Sequence, residues 1–333
     1  MGVTIKDVAK KTGLSITTIS LVLNKKESRI PEKTRQLIEE AVQELHYAPN
    51  QAAVSLSTKK TSLIALIIPR KTPWFPPELV SSIESSCRGA GYSLNLSLPE
   101  GDPASSLEAI REAMRRGTDG VIFNPSGFDD EFYKSYVDMI LSSEVPVCSL
   151  AAAGAHILPN SIIPDHRKGG YLAASHLLGL GHAGIGFISG KAGSGEDHVV
   201  SELQRGIEDA VEEYGADAAA LGHEGLEELL VSQTGNAITG IIASSDEIAL
   251  GILRRANELG IPVPERLSVI SYGNIPPGAG YQPPLSAVSI NYDRIARKAL
   301  AVIKKLSQGE SALTPELIPP LLTLRGSTGR KGD

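Results

Sequence analysis

Hydroxyl side chains precede two short amphipathic segments near the N-terminus. Thr4 comes before a segment in which Ile5, Val8 and Ala9 recur at helical spacing, and Ser15 comes before a second segment. Serine and threonine are favoured helix N-caps, and hydroxyls beside the free N–H groups of a helix N-terminus are good partners for phosphate. The sequence therefore predicts a phosphate-contacting surface in this region.

The distribution of charge supports the same interpretation. Residues 1–60 hold ten Lys and Arg against six Asp and Glu, which is a net charge of +4. The whole chain has a net charge of −6, so the remaining residues have a net charge of −10. A small basic module attached to an acidic body is typical of a protein in which only the module touches nucleic acid. Chance variation is the alternative.

The spacing of apolar residues predicts three helices that position these hydroxyls. Gly13 supplies the turn between the first two helices, and the third begins near Pro31. A helix pair of this kind places the N-terminal residues of its second helix in the DNA major groove, although a helical hairpin can also be purely structural. The predicted inward residues of the second helix are Ile19, Val22 and Leu23, and those of the third are Leu37, Ile38, Ala41, Val42 and Leu45.

Several runs at fixed spacing resemble the DNA-binding heads of the lactose/galactose-repressor (LacI/GalR) family. They are ValThrIleLysAspValAlaLysLysThrGlyLeuSer (3–15), ThrThrIleSerLeuValLeuAsn (17–24), GluLysThrArg (32–35), LeuHisTyrAlaProAsn (45–50) and SerLeu (55–56). The resemblance implies an all-α helix-turn-helix head with a hinge helix, joined to a two-lobed, periplasmic-binding-protein-like α/β body with parallel sheets. The implied limits are 1–48 for the head, 49–61 for the hinge and linker, 62–161 with 291–320 for the first lobe, and 162–290 with 321–333 for the second.

The resemblance also implies which residues meet DNA. Bases are read by Ile16, Thr17 and Leu21, and the DNA backbone is contacted by residues such as Thr4, Ser15, Thr18, Ser20 and Asn24. The family often has arginine where Leu21 stands. Ile16 and Leu21 can offer only apolar contact, chiefly to thymine methyl groups, so we expect weak or thymine-biased direct readout. Alternatively, Leu21 packs against a neighbouring side chain.

Residues 49–61 form the predicted hinge, from which Asn50, Ala53 and Leu56 are expected to meet DNA. Asn50 is a ready helix cap, but residues 51–57 are too few to hold a helix alone in water. By resemblance, two such helices pair in the minor groove and Leu56 wedges a base step, which is an established way to bend DNA. A flexible linker is the alternative.

Beyond Ser62, short apolar runs alternate with amphipathic helices, as in an α/β fold with parallel sheets. Ligands bind outside the carboxyl ends of such strands, so two lobes predict a cleft and a hinged sensor. The segment Ile290 to Leu306 is expected, by resemblance, to cross back and pack on the first lobe. The candidate strands are Leu63–Ile68, Tyr92–Leu96, Gly120–Phe123 and Val145–Leu150 in the first lobe, and Ile185–Ser189, Ile241–Ala243 and Leu267–Ser271 in the second.

Landmarks of the same family run through the body, but its ligand-binding groups are partly absent. Leu203 stands where the family commonly has an arginine, and Gly273 stands where an acidic residue is common. The candidate effector contacts are Trp74, Phe75, Asp197, His198, Leu203 and Asp246. Trp74 could instead pack in the core or a lid, His198 could be an exposed loop residue, and Asp246 could cap a helix.

Together these observations predict an effector-controlled repressor. We expect a homodimer on pseudo-palindromic double-stranded operator DNA, with a sugar-like effector and with induction and corepression both open. An enzyme carrying a DNA-binding head is disfavoured because no nucleophile elbow, Walker loop, Rossmann fingerprint or metal cluster is recognised. No cofactor or metal is therefore expected.

The N-terminus has no signal peptide and no run reaches the ~20 apolar residues of a membrane span, which disfavours a transport-type solute-binding protein and any membrane partner. The protein is expected in the bacterial cytoplasm, on the nucleoid when bound to DNA. Cys87 and Cys148 are interpreted as buried thiols.

Overall fold

The structure is a computed structural model that describes residues 3–23, 30–47, 60–70, 77–100, 102–125, 130–150, 158–190, 197–221, 238–311 and 313–331. The chain divides into two compact units, Met1–Ser62 and Leu63–Asp333. We call them the head and the body.

The head contains three helices, α1 (Ile5–Thr12), α2 (Ile16–Leu23) and α3 (Glu32–Glu44). Gly13 ends α1 in the left-handed region, with φ of 71°, and its N–H donates to the carbonyl of Ala9. In the described part of the head, the buried core consists of Val8, Ile19, Val22, Ile38 and Ala41. Leu37 was predicted to point inward, but it is 45% exposed, because its neighbour Ile38 takes the inward position on α3.

The body alternates strands and helices. In chain order it contains β1 (Leu63–Ile67), α4 (Pro77–Gly89), β2 (Ser93–Ser97), α5 (Pro103–Arg115), β3 (Gly120–Phe123), α6 (Asp130–Ser142), β4 (Val147–Ser149), β5 (Ile162–Pro164), α7 (His166–Gly179), β6 (Gly184–Ile188), α8 (Asp197–Tyr214), β7 (Asp217–Leu221), β8 (Gly240–Ala243), α9 (Asp246–Glu258), β9 (Ser268–Tyr272), α10 (Pro276–Ala279), β10 (Ser286–Ser289), α11 (Tyr292–Ser307), β11 (Glu316–Ile318) and β12 (Leu321–Thr323).

Two sheets organise these elements. The first has the order β2-β1-β3-β4 and is parallel throughout. The second has the order β12-β10-β9-β8-β6-β7, in which β12 is antiparallel to β10 and the other neighbours are parallel. The predicted α/β fold with parallel sheets is confirmed.

The chain crosses between the two sheets more than once. Helix α11 returns to the first sheet, where Ile295 and Ile303 share a core with Ile64 and Ile122. Strand β5 pairs with β11, and an isolated bridge from Ser149 to Ser161 joins this pair to β4. Strands β5 and β11 therefore form a separate two-stranded sheet, which this single bridge links to the first sheet.

Helices α7 and α8 pack with their backbones in contact. A Cβ atom added to Gly206 of α8 would lie 1.8 Å from the carbonyl oxygen of Arg167, and one added to Gly170 of α7 would lie 2.0 Å from that of Leu203. Only glycine allows this approach. The pair then covers one face of the second sheet with a buried core.

Hydrogen bonds that involve side chains hold residues 325–331 against the second sheet and α7. Ser327 Oγ donates to the carbonyl of Val269 at 2.6 Å and accepts the N–H of Ser286 at 2.8 Å. His182 Nε2 lies 3.0 Å from the carbonyl oxygen of Gly329, and His176 Nε2 lies 3.0 Å from Thr328 Oγ1. Among the described helices, none combines the length and the apolar character that a membrane crossing requires.

Candidate DNA-binding and effector sites

The predicted phosphate-contacting hydroxyls are fixed in place by local hydrogen bonds. Ser15 Oγ accepts the N–H of Thr18 at 3.1 Å and lies 2.8 Å from Thr18 Oγ1, so the two hydroxyls form a pair at the start of α2. At the start of α1, the N–H and Oγ1 of Thr4 both donate to Asp7 Oδ2 at 2.8 Å. These hydrogen bonds from Thr4, first the backbone one, lower the pKa of Asp7. Hydrogen bonds within the protein therefore fix the N-termini of both helices without a bound anion.

The predicted base-reading residues lie on the side of α2 that faces away from the head core. Ile16 is 43% exposed, Thr17 is exposed and Leu21 is partly buried, and none of the three belongs to the core cluster. Ser20, which was predicted to contact the DNA backbone from α2, is partly buried. Asn24 and the hinge residues Asn50, Ala53 and Leu56 lie outside the described residues.

Two of the predicted effector contacts have structural roles in the body. The Asp246 carboxylate is fully buried, its Oδ1 accepts from Ser271 Oγ at 2.6 Å, and its Oδ2 accepts from the N–H of Ile275 at 3.0 Å. Asp246 does not cap α9, because Ser245 Oγ accepts the N–H of Ile248 at 3.3 Å. The Asp246 carboxylate therefore holds the loop that follows β9.

The same carboxylate explains the missing acid at position 273. A Cβ atom added to Gly273 would lie 1.8 Å from Asp246 Oδ2, so Asp246 fills the space that a side chain at 273 would need. Leu203 is also no surface residue: it is 1% exposed and packs in the core beneath α7 and α8. Leu203 therefore packs in the core, and its role as an effector contact stays a prediction.

The other predicted effector contacts are less informative. His198 is exposed near the start of α8. Trp74, Phe75 and the side chain of Asp197 lie outside the described part of the chain. The four residues stay predictions.

A histidine–tyrosine pair that the sequence analysis missed lies at the carboxyl end of the second sheet. His166 begins α7, Tyr272 ends β9, and His166 Nδ1 lies 2.7 Å from Tyr272 Oη. Burial raises the pKa of Tyr272 well above its usual value. Burial, aided by the nearby His198, lowers the pKa of His166 to about 4. Both side chains are therefore neutral near pH 7, and the only sequence signal was a tyrosine at the end of an apolar run.

Three histidines of the body, His182 buried and His166 and His176 partly buried, predict acid sensitivity. Burial lowers the pKa of His166 to about 4 and also lowers those of His176 and His182 from 6.5. Unfolding lets each histidine take up a proton, so stability is complete above pH 6.5 and falls as the pH drops below it, by at most about 1.4 kcal/mol per pH unit per histidine. We expect the melting temperature to decrease from pH 7.5 to pH 5, and His166→Gln to flatten the profile. A pH-independent melting temperature would contradict this.

The described residues contain no group of three or more His, Cys, Asp or Glu side chains that could hold a metal ion. Cys87 and Cys148 are both free and buried.

Comparisons with known proteins cover almost the whole chain. The model of "Bacterial regulatory proteins, lacI family" matches residues 4–50, and that of "Periplasmic binding protein-like domain" matches residues 174–328. The HTH-type transcriptional regulator DegA of Bacillus subtilis is 30% identical over 98% of both chains. The HTH-type transcriptional repressor PurR of Actinobacillus pleuropneumoniae is 30% identical over 97% of this chain and 98% of its own.

A solved structure shows the same architecture. The Lac repressor dimer bound to operator and the anti-inducer ONPF is 26% identical, with a TM-score of 0.77 over 99% of this chain and 100% of its own. DegA is named a transcriptional regulator and PurR a transcriptional repressor, both of the helix-turn-helix type. With its helix-turn-helix head and periplasmic-binding-protein-like body, this chain belongs to the lacI family of bacterial regulatory proteins and is a DNA-binding transcription regulator.

Proposed function

We propose that the protein is a cytoplasmic repressor that binds pseudo-palindromic, double-stranded operator DNA as a homodimer. The observation that carries the proposal is the N-terminus of α2. There the Ser15–Thr18 hydroxyl pair and the exposed side chains of Ile16 and Thr17 lie outside the core of the three helices. Repeated half-sites require two such heads. The similarity to PurR, named a repressor, and to a Lac repressor dimer bound to operator supports this assignment.

The body then serves as the sensor. In this proposal a small, sugar-like effector binds between a first lobe of residues 62–161 and 291–320 and a second lobe of residues 162–290 and 321–333. The effector favours one of two conformations of the body, and the hinge carries the change to DNA through Leu56 as a minor-groove wedge. The similar Lac repressor structure contains the anti-inducer ONPF.

Selection of binding sites from randomised DNA, followed by titration of the selected site, tests the proposal. The full-length protein should enrich two inverted half-sites, with an affinity that falls steeply as salt rises. Failure to enrich any site, or enrichment of a single half-site, would contradict it. A small molecule that raises the melting temperature of the protein is a candidate effector. Repeating the operator titration in its presence then shows whether the effector raises or lowers operator affinity.

Leu21→Arg should create a guanine preference at one base pair of each half-site. Arginine can donate two hydrogen bonds to guanine O6 and N7, which discriminates against other bases by about 1–3 kcal/mol, whereas leucine offers only apolar contact. Site selection with wild type and variant measures the change. Gln43→Arg adds the same charge at an exposed position on α3 and is the matched control. If both variants gain affinity equally and select the wild-type site, Leu21 is not a base reader.

A further inference from the structure

Basic side chains collect at the edge of the first sheet where the chain enters the body. Strand β1 begins at Leu63, directly after Ser62, the last residue of the head. Because the sheet is parallel, its four strands all begin at this edge. The carbonyl of Leu63 accepts hydrogen bonds there from the N–H of Asp119 at 2.8 Å and from Thr118 Oγ1 at 2.7 Å, just ahead of β3. We define the amino edge as residues 60–62, 88–92, 115–119, 143–146 and 304–310.

Helix α11 places two lysines at the amino edge. A Cβ atom added to Gly120, the first residue of β3, would lie 2.5 Å from Ile303 Cγ2, so Ile303 lies against the beginning of that strand. The next two residues, Lys304 and Lys305, are exposed. Lys305 Nζ lies 3.7 Å from Glu310 Oε2, and its side chain is still 55% exposed. Such a loose surface ion pair contributes little, so both ammonium groups are open to an external anion.

Two neighbouring helices end in arginines at the same edge. Arg88 lies in the last turn of α4, and Arg116 follows the last residue of α5. Their side chains are 72% and 64% exposed, and each pairs with a glutamate four residues earlier, Glu84 or Glu112, which lies one turn further from the edge. Ion pairs between exposed side chains are weak, so both arginines are available to a phosphate group.

The amino edge as a whole is basic, although the body is acidic. Its cations are Lys60, Arg88, Arg115, Arg116, Lys304 and Lys305, and its acidic residues are Asp119, Glu144 and Glu310. Six cations against three acidic residues give this edge a net charge of +3, whereas residues 61–333 together have a net charge of −10. The negative charge of the body therefore lies elsewhere on its surface.

Helix stability is the alternative explanation for these cations. A cation in the last turn of a helix is favoured by the helix dipole, whatever its function. The chain does not follow this rule throughout, because the last turn of α8 in the second lobe has no basic residue and holds the exposed Glu212 and Glu213. The dipole alone therefore does not explain why cations gather at the amino edge.

DNA is the polyanion that fits this edge. A duplex carries one negative charge per about 1.7 Å of its axis, and lysine and arginine neutralise its phosphates without regard to base sequence. The amino edge is also where the chain from the DNA-binding head joins the body, so DNA held by the head stays within the reach of that connection. Such tethering raises the effective concentration of phosphate groups, and weak contacts then suffice.

We propose that the amino edge is a second, sequence-independent DNA-binding surface, in which Lys304, Lys305 and Arg116 contact phosphates of the duplex. The head selects the sequence, while the body adds affinity for any duplex. This role needs neither an effector nor a defined operator, so DNA of any sequence can test it.

Replacing both lysines with glutamine in the full-length protein tests the proposal. Affinity for the selected operator and for a duplex of unrelated sequence is measured over a series of salt concentrations. The Lys304→Gln, Lys305→Gln double variant should bind both duplexes more weakly by the same factor, about tenfold at low salt. Its plot of log K against log salt concentration should be less steep by about 1–2. Unchanged affinity and slope in a folded variant would overturn the proposal.

A control variant removes the same charge from the corresponding edge of the second sheet. Arg266 precedes β9, the N–H of Lys331 donates to the carbonyl of Leu180 at 3.0 Å beyond the end of α7, and Arg266 and Lys331 are both exposed. The Arg266→Gln, Lys331→Gln double variant should keep wild-type affinity and slope with both duplexes. If it weakens binding as much as the lysine variant does, the effect comes from the net charge of the body and the proposal fails.

Two further variants separate charge from folding. Lys304→Arg with Lys305→Arg keeps both charges and should bind DNA as the wild type does. Glu310→Gln removes the acidic group beside Lys305 and should raise affinity for both duplexes. Thermal unfolding shows whether each variant is folded. Weaker binding by a folded form of either variant would contradict phosphate contact at the amino edge.

Discussion

Replacing Gly206 with alanine should prevent the body from reaching its native fold. The added Cβ atom would lie 1.8 Å from the carbonyl oxygen of Arg167 and 2.8 Å from the backbone nitrogen of Tyr171. Both atoms belong to the backbone of α7, so relief requires the two helices to separate and to open the core that contains Leu203 and Leu177. We expect a loss of more than about 4 kcal/mol in the free energy of unfolding, at the extreme of single substitutions.

Circular dichroism and thermal unfolding of purified protein measure this effect. Gly251→Ala is the matched control, because Gly251 also lies inside a helix, α9, but its added Cβ atom would meet no atom within 4 Å. Alanine at this exposed site should be neutral or stabilising by up to about 1 kcal/mol. If Gly206→Ala melts within a few degrees of wild type, α7 and α8 do not need their close contact.

Ile19→Ala should abolish operator binding while leaving the body folded. Ile19 is fully buried in the core of the head, which contains five buried residues in the described part of the head, and truncating a buried isoleucine costs about 2–5 kcal/mol. A unit as small as the head has little stability to lose, so the helices that carry Ser15 and Ile16 should unfold. We expect operator affinity to fall by more than about 100-fold.

The comparison with Ile16→Ala isolates this effect. Ile16 lies on the same helix, α2, but is 43% exposed. Its truncation should therefore keep the head folded and lower operator affinity far less than Ile19→Ala does. Operator titration measures binding, and thermal unfolding should show an unchanged transition for the body in both variants. An Ile19→Ala variant that binds operator with near wild-type affinity would show that the head tolerates the cavity.

Much of the fold follows from the periodicity of apolar residues. The three helices of the head and the strands with long apolar runs have the predicted places, because burial on one face leaves a clear pattern. Where two apolar residues are adjacent, as Leu37 and Ile38 are, periodicity cannot decide which one faces inward. The exposed fraction of Leu37 depends on how α3 is rotated against the other helices.

Other elements were missed because their burial depends on partners far along the chain. Strand β10 holds the buried serines Ser286 and Ser289, and Ser286 is satisfied by hydrogen bonds from and to residues 325–328. A buried serine looks like an exposed one in sequence. Strands β5 and β11 are three residues long, which is too short for a recognisable pattern.

The site residues show the same dependence on distant partners. Asp246 was predicted as a ligand contact or a cap, but its carboxylate bonds Ser271 and Ile275, which lie 25 and 29 residues away. The His166–Tyr272 pair spans 106 residues. These side chains meet only because α7 packs against the second sheet, and the sequence pattern does not reveal that packing.

The fastening of residues 325–331 to the second sheet has a consequence for biosynthesis. The head is made first, and the buried residues of its described core all lie between Val8 and Ala41, so it can fold while the ribosome is still translating the body. The body cannot be completed until translation has passed Ser327, because β10 pairs with β12, Ser286 of β10 donates its N–H to Ser327 Oγ, and Ser327 Oγ donates to the carbonyl of Val269 in β9. A nascent chain should therefore carry a folded DNA-binding head for most of its synthesis, before the part that regulates it exists.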